Sequence, residues 1–152
     1  MTRSNRTVAT RRRTAGAILA VLPACFAATG ALGGDLTIEV SGIKPSRGNI
    51  YVALYDRSET FPIPGRQRVG QVLEPQDGRL TVHFKALPPG RYAAVAFQDL
   101  NGNGKLDKNF LGIPKEPYGF SNGARGTMGP PSFAEAAVRI DDVEGSTTIA
   151  LE

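Results

Sequence analysis

The chain of 152 residues contains few of the residues that build cross-links and small catalytic sites. Its single cysteine, Cys25, excludes an internal disulfide and a cysteine-rich zinc site. Its single histidine, His83, alternates with apolar neighbours and is therefore expected on the solvent-facing side of a strand, so no Ser-His-Asp arrangement can be proposed. No helical period of useful length is present, and 18 glycines and 11 prolines are too many for a helical bundle. The length suits one domain with a real core.

The net charge of +4 is unevenly distributed along the chain. The first thirteen residues hold five arginines and no acid, whereas the other 13 basic residues and all 14 acidic ones lie from Asp35 onward, with a net charge of −1. The basic residues in that second part are scattered rather than clustered on one motif. The charge therefore gives no support to nucleic-acid binding.

The N-terminal residues have the pattern of an export signal. Three arginines at 11–13 precede an apolar run at 14–28, which is too short for the ~20 apolar residues of a membrane span. We therefore expect residues 1–34 to be a signal peptide cleaved somewhere in 27–34, and the protein to be periplasmic or secreted. In an alternative, the sequence Leu-Pro-Ala-Cys ending at Cys25 is a lipobox and the protein is a lipoprotein anchored there.

The remaining domain, residues 35–152, has the hydrophobic pattern of an all-β protein. Apolar and polar residues alternate, or apolar residues cluster, in seven short segments: 36–40, 49–55, 69–73, 80–84, 91–98, 138–140 and 149–151. Residues 132–137 supply at most one helical turn. The pattern predicts a single antiparallel β-sandwich of about seven strands, immunoglobulin-like or transthyretin-like, with one long irregular loop.

That loop is residues 99–133, which hold seven glycines and four prolines and show no strand pattern. A loop of this length in a small domain is usually functional or disordered. Its aromatic residues argue against disorder, because disordered segments contain few of them. We expect an ordered loop whose ligand- or partner-binding residues are Phe110, Tyr118, Phe120 and Asn122.

The start of the loop has the spacing of a calcium-binding loop. Oxygen-bearing side chains stand at relative positions 1, 3, 5 and 9, namely Asp99, Asn101, Asn103 and Asp107, and Lys105 stands where a backbone carbonyl would serve. The bidentate glutamate of position 12 is lacking, so a dissociation constant of about 10⁻⁴–10⁻³ M is expected. In the alternative interpretation, these Asn and Asp residues form Asx-turns and bind no metal.

Five segments together resemble one known family. They are Tyr-Val-Ala-Leu-Tyr at 51–55, Phe-Pro at 61–62, Leu-Pro-Pro-Gly-Arg-Tyr-Ala at 87–93, Ala-Phe-Gln-Asp-Leu-Asn-Gly-Asn-Gly-Lys-Leu-Asp at 96–107, and Phe-Leu-Gly-Ile-Pro-Lys-Glu-Pro-Tyr-Gly-Phe-Ser-Asn at 110–122. The chain resembles the DUF2141 family of exported bacterial β-sandwich proteins of unknown function. The resemblance implies a signal peptide followed by one β-sandwich, and it implies no catalytic residues and no agreed ligand.

The absence of a catalytic set favours a non-enzymatic module. We expect it to bind a protein, peptide or glycan of the cell envelope through residues 99–133, with calcium as the one candidate cofactor. Nucleic acid is not expected as a partner, and a membrane is expected only if Cys25 is lipidated. Two alternatives remain open: a calcium-assisted enzyme that uses Asp99 and Asp107 on an extracytoplasmic polysaccharide, and a purely structural envelope protein.

Overall fold

The computed structural model describes residues 33–45, 47–141 and 143–152. Residues 1–32 of the predicted signal peptide, with Cys25, lie outside the described residues, whereas Gly33 and Gly34, the last two residues of its predicted cleavage region, are described. The described part is nearly all-β, and its strands are β1 Gly34–Ile43, β2 Asn49–Tyr55, β3 Val69–Leu73, β4 Gly78–Leu87, β5 Gly90–Asp99, β6 Tyr118–Phe120, β7 Ala137–Ile140 and β8 Gly145–Ala150. A 3₁₀ turn at Ser121–Gly123 and a one-turn helix, α1 Phe133–Ala136, complete it. None of these residues belongs to a helix with the length and apolar character that a bilayer crossing requires.

The strands form two sheets. The smaller has the order β4-β1-β8, and the larger has the order β3-β2-β5, with both β6 and β7 on the far edge of β5. The prediction of a purely antiparallel arrangement is wrong for one pair, because β8 runs parallel to β1. The alternation of side chains in a sequence shows which face of a strand is buried but not the direction of its partner strand. A parallel pair needs a long connection between its strands, and nearly the whole domain lies between β1 and β8.

One hydrophobic core lies between the two sheets. The alternate residues predicted to face inward in β1, β2 and β4 are buried, and residues from β5 and β8 complete the same cluster: Leu36, Ile38, Val40, Ile50, Val52, Leu54, Leu80, Val82, Phe84, Tyr92, Ala94, Ala96 and Ile149. Their polar neighbours along each strand face outward. The period of two in the sequence therefore placed this core correctly.

A second apolar cluster lies on the other face of the larger sheet. Phe61 is at its centre, with its ring edge-on to Tyr55 (5.5 Å between centroids), to Phe120 (5.9 Å) and to Phe133 (5.9 Å). Such edge-to-face pairs are a favourable arrangement for aromatic rings. Phe120 and Phe133 of the 99–133 segment therefore pack against the domain as the sequence predicted, whereas residues 125–130 are exposed. The segment is not wholly irregular, since it contains β6.

Ser121 completes the hydrogen bonding of β5 where its neighbour changes from β7 to β6. Strand β7 pairs with Gly90–Ala93 and β6 with Val95–Phe97, so Ala94 falls between them. The buried Ser121 hydroxyl accepts a hydrogen bond from the Ala94 N–H (2.8 Å) and donates one to the Ala136 carbonyl (2.6 Å). A single side chain thus satisfies backbone groups that no ladder reaches.

Candidate functional site: a hairpin fastened to the end of β5

Asp99, the last residue of β5, organises the loop that follows it. Its side chain is fully buried, and its Oδ1 accepts hydrogen bonds from the N–H groups of Gly102 (2.9 Å) and Asn103 (3.3 Å). Its Oδ2 accepts one from Gly104 N–H (2.7 Å). Both glycines have φ near +75°, a conformation that side chains oppose, which explains why glycine stands at these two positions. The backbone therefore wraps around one carboxylate.

The other predicted calcium ligands gather around Asp107. The Nδ2 atoms of Asn101 and Asn103 donate to its two oxygens, at 2.7 and 3.0 Å, while their Oδ1 atoms accept from backbone N–H groups of Asn103 (3.1 Å) and Lys105 (2.8 Å). The structure thus brings the side chains of Asn101, Asn103 and Asp107 together, while Asp99 binds backbone N–H groups of the same loop, and the loop has the Asx-turn arrangement. Amide nitrogens, rather than oxygens, face Asp107, so calcium coordination requires both amides to rotate.

Nowhere in the described residues do three or more His, Cys, Asp or Glu side chains gather as a metal site would need. A cation bound here would therefore depend on the asparagine oxygens and on backbone carbonyls in addition to two carboxylates. Such ligands suit a hard cation such as Ca²⁺, and the small number of charges suits weak binding.

Glu116 closes the loop, and sequence reasoning missed it. This side chain is buried, and its two oxygens accept hydrogen bonds from the N–H groups of Leu100 (2.8 Å) and Asp107 (3.0 Å). Two backbone hydrogen bonds reinforce the closure, from Gln98 N–H to the Pro117 carbonyl (2.9 Å) and from Lys115 N–H to that of Asp107 (2.8 Å). The one available signal was a lone glutamate between two prolines in a segment with no other acid.

Beyond this closure the chain forms a tight turn, residues 108–114, which we call the tip hairpin. Lys108 and Pro114 pair as a single antiparallel bridge at its base. Asn109 N–H donates to the Ile113 carbonyl (2.8 Å), and the Asn109 Oδ1 accepts from the N–H groups of Leu111 and Ile113, both at 2.9 Å. Gly112, at φ +80°, donates to the Asn109 carbonyl (2.9 Å). One asparagine therefore holds the whole turn together.

The tip hairpin presents large apolar side chains to solvent. Phe110 is 95% exposed, Leu111 68% and Ile113 55%. Single exposed apolar residues are ordinary, but three within four positions form a patch that usually has a binding role. Sequence reasoning selected Phe110 alone, since a run of apolar residues in a loop carries no period that would reveal its exposure.

Lysines surround this apolar patch. Lys105, Lys108 and Lys115 are exposed. In the described ranges every ion pair is formed by an arginine, and no lysine takes part in one. The nearby acids, Asp107 and Glu116, are engaged in the hydrogen bonds given above. The fully exposed charged side chains of this region are therefore its lysines.

The other three predicted binding residues lie elsewhere in the structure. Phe120 is only 8% exposed and belongs to the second apolar cluster, so its side chain is not available to a partner. Tyr118 is half-buried beside a shallow depression of about 210 Å³. Asn122 is exposed, but its side chain bonds to the Ala137 carbonyl (3.0 Å) and to the Thr147 hydroxyl (3.1 Å). Of the four, Phe110 alone lies on the tip hairpin.

Two β-sheets that share one core, with a hairpin beyond the end of β5, define a small all-β protein. Three of its large exposed apolar side chains lie together on a loop rather than in a cleft. The chain belongs to the family described as "Uncharacterized protein conserved in bacteria (DUF2141)", whose model matches residues 38–149. This match confirms the resemblance noted from the sequence. Neither the curated proteins nor the solved structures compared with the chain match it.

Proposed function

We propose that this protein is an exported, non-enzymatic binding module that engages a partner through the 99–133 segment, and specifically through the tip hairpin. The observation that carries the proposal is the exposure of Phe110, Leu111 and Ile113 on a turn whose base is fixed by Asn109. Exposing three large apolar side chains is unfavourable in water unless another surface covers them. A turn that is already ordered loses little conformational entropy on binding.

Export and the sandwich type belong to the same proposal. The arginine-led apolar N-terminus supports a signal peptide and a periplasmic or secreted location. Support for an immunoglobulin-like or transthyretin-like sandwich comes from Tyr92, whose hydroxyl donates to the Pro88 carbonyl four residues upstream (2.8 Å), as in the tyrosine corner of such sandwiches. Burial raises the pKa of the Tyr92 phenol, which keeps it in the neutral form that donates this hydrogen bond.

Replacing Phe110, Leu111 and Ile113 with serine should lower the association of the exported protein with cell-envelope material by about tenfold or more, because the apolar area that drives binding is removed. The measurement is fractionation of cells that export the full chain, followed by quantification of the protein in the envelope fraction. The folded state should be unaffected, since the three side chains project into solvent.

The matched control replaces two exposed apolar residues outside the tip hairpin, Met128 (101% exposed) and Val143 (71% exposed), with serine. This control variant should associate with the envelope as the unaltered protein does. Equal retention of the tip variant and the unaltered protein would contradict the proposed function, and equal loss in both variants would show that the effect is not specific to the tip hairpin.

The enzymatic alternative gains no support from the proposed pair of carboxylates. Asp99 is fully buried and accepts three backbone N–H groups, so its oxygens are occupied in holding the loop. A general base must reach the proton that it removes. For the purely structural alternative, the tip variant provides the test, because a structural role predicts no change in association.

We also propose weak calcium binding at Asp99, Asn101, Asn103, Lys105 and Asp107, supported by the contacts of Asn101 and Asn103 with Asp107 in the loop whose backbone Asp99 binds. With a dissociation constant of about 10⁻⁴–10⁻³ M, Ca²⁺ at about 10 mM should stabilise the fold by about 1.4–2.7 kcal/mol. The measurement is a thermal melt across a calcium titration. The Asp107→Asn variant should lose the response, and an unchanged melting temperature of the unaltered protein in about 10 mM calcium would rule this site out.

A further inference from the structure

We propose that the partner of the tip hairpin is a phospholipid surface that carries anionic headgroups, into whose interfacial region Phe110, Leu111 and Ile113 insert. This inference rests on the proposed function, because it names the partner of the same surface. The sequence predicted membrane association only through a lipidated Cys25, and the tip hairpin provides a route that does not depend on that residue.

The shape of the tip hairpin suits a lipid surface. Phe110, the most exposed of the three apolar residues, lies with Leu111 at the end of the turn. The space beside Gly112 is open, since a side chain there would begin more than 4 Å from any other atom outside its immediate neighbours. The apolar surface is therefore convex and projects from the domain. A convex apolar tip cannot itself enclose a peptide or a small ligand, which bind in grooves and clefts, but it can enter the boundary between headgroups and acyl chains.

The lysines near the tip hairpin lie where lipid headgroups would contact them if the apolar end inserted. Lys108 and Lys115 lie at the base of the tip hairpin, on either side of its apolar end, and Lys105 lies three residues before it. From 99 to 117 the chain carries three lysines and three acids, but two of the acids, Asp99 and Glu116, are buried and accept backbone N–H groups. The third, Asp107, is bonded to two asparagines, so the fully exposed charges are those of the lysines. Cations behind an apolar end favour anionic lipids, and long lysine side chains can place the charge at headgroup level.

The tip hairpin satisfies four of its six backbone donors internally, which lowers the cost of placing it at a lipid surface. The N–H groups of Asn109, Leu111, Gly112 and Ile113 all donate to acceptors within the turn, and Pro114 has no N–H. Those of Lys108 and Phe110 have no hydrogen-bond partner among the described residues. In an exposed turn water could serve the four bonded donors just as well. Where lipid replaces water, each unsatisfied donor is costly, so the four internal bonds favour insertion at the headgroup boundary, where water still reaches the N–H groups of Lys108 and Phe110.

The experiment uses a tryptophan reporter, since the chain contains no tryptophan. The Phe110→Trp variant, made in the full chain and purified in its exported form, is mixed with vesicles of phosphatidylcholine with and without phosphatidylglycerol. We expect a blue shift of emission with the anionic vesicles and a weaker one without them. The Met128→Trp variant carries the reporter at an equally exposed position outside the tip hairpin and should show no shift. Thermal melts establish that both variants fold.

Substitution of the lysines provides an independent test of the preference for anionic lipid. Replacing Lys108 and Lys115 with glutamine in the Phe110→Trp background should weaken binding to the anionic vesicles about 30-fold, and raised salt should weaken the binding of the parent variant. Binding that is indifferent to both changes would overturn the assignment to anionic lipid. Equal shifts from the reporters at 110 and 128 would overturn it as well.

The experiments distinguish a failure of the lipid inference from a failure of the proposed function. If the reporter at 110 shows no shift with anionic vesicles, but a photo-crosslinker at Leu111 reaches an envelope protein that the Met128 position does not reach, the lipid inference is overturned and the proposed function stands. If neither vesicles nor envelope proteins contact the tip hairpin, both are overturned.

Discussion

Replacing Gln98 with methionine should lower the free energy of unfolding by about 3 kcal/mol, the largest effect that we expect from one conservative substitution in this protein. Gln98 is fully buried near the end of β5. Its Oε1 accepts from Lys44 N–H (2.9 Å), and its Nε2 donates to the carbonyls of Lys44 (2.6 Å) and Arg47 (2.7 Å). Those residues form the connection by which the chain passes from β1 in one sheet to β2 in the other.

Methionine keeps the volume of glutamine but offers no strong donor or acceptor. One N–H and two carbonyl groups of the connection therefore lose their partner, and each such group costs about 1–3 kcal/mol if water does not reach it. The expected total of about 3 kcal/mol takes about 1 kcal/mol for each of the three groups, because the connection lies at the surface and water can serve part of it. Chemical denaturation followed by circular dichroism measures the loss.

Gln71→Met is the matched control. Gln71 also donates from its side chain to a backbone carbonyl, that of His83 (2.8 Å), but this single bond lies at the surface. We expect a change within about 0.5 kcal/mol for this variant. If both substitutions had the same effect, the special role given to Gln98 would be refuted.

Asp99→Asn should lower the free energy of unfolding by about 2–3 kcal/mol and should release the loop that follows β5. The carboxylate receives three backbone N–H groups on two oxygens. An amide of the same shape replaces one acceptor oxygen with a donor, so at least one N–H then faces another donor, and the charge that strengthened the remaining bonds is gone.

Hydrogen exchange gives the sharper measurement, because it reports single amides. The amides of Gly102, Asn103 and Gly104 should lose protection in Asp99→Asn, whereas the core amides of β1 and β2 should change only as global stability changes. Asp141→Asn serves as the control, since Asp141 forms an exposed ion pair with Arg139 (2.9 Å) and should contribute little. Protection retained at the three loop amides would exclude Asp99 as the organiser of this loop.

Much of the fold could be predicted from the sequence, because a strand with one buried face leaves a period of two. Strands β2 and β3 have the predicted bounds, and the inward positions of β1 and β4 are those expected. Strand β6 has three residues with Gly119 at its centre, too few for a period to appear. A side chain at Gly119 would collide with the carbonyl of Ala150, so glycine is required here by the close packing of β6 against β8. The hydrophobic pattern of the sequence does not reveal this strand.

The candidate site was only partly predictable, since its decisive interactions are not periodic. Of the four residues selected by spacing, Asn101, Asn103 and Asp107 have side chains in contact, and calcium binding by the set stays a prediction. The tip hairpin depends on Asn109, whose side chain bonds within the turn, and on the long-range hydrogen bonds of Glu116. Aromatic residues in a loop normally suggest packing, and this held for Phe120 but not for Phe110.

The hydrogen bond from Gln98 N–H to the Pro117 carbonyl has a consequence for how the domain can vary. The two ends of the intervening segment lie one hydrogen bond apart, at 2.9 Å, so the segment is an appendage inserted into a hairpin formed by β5 and β6. Because the entropy of closing a loop grows only slowly with its length, such an appendage can be lengthened, shortened or exchanged while the strands beneath it stay paired. The paired strands thus form a scaffold on which the segment between Gln98 and Pro117 could be replaced by a loop of different length and sequence.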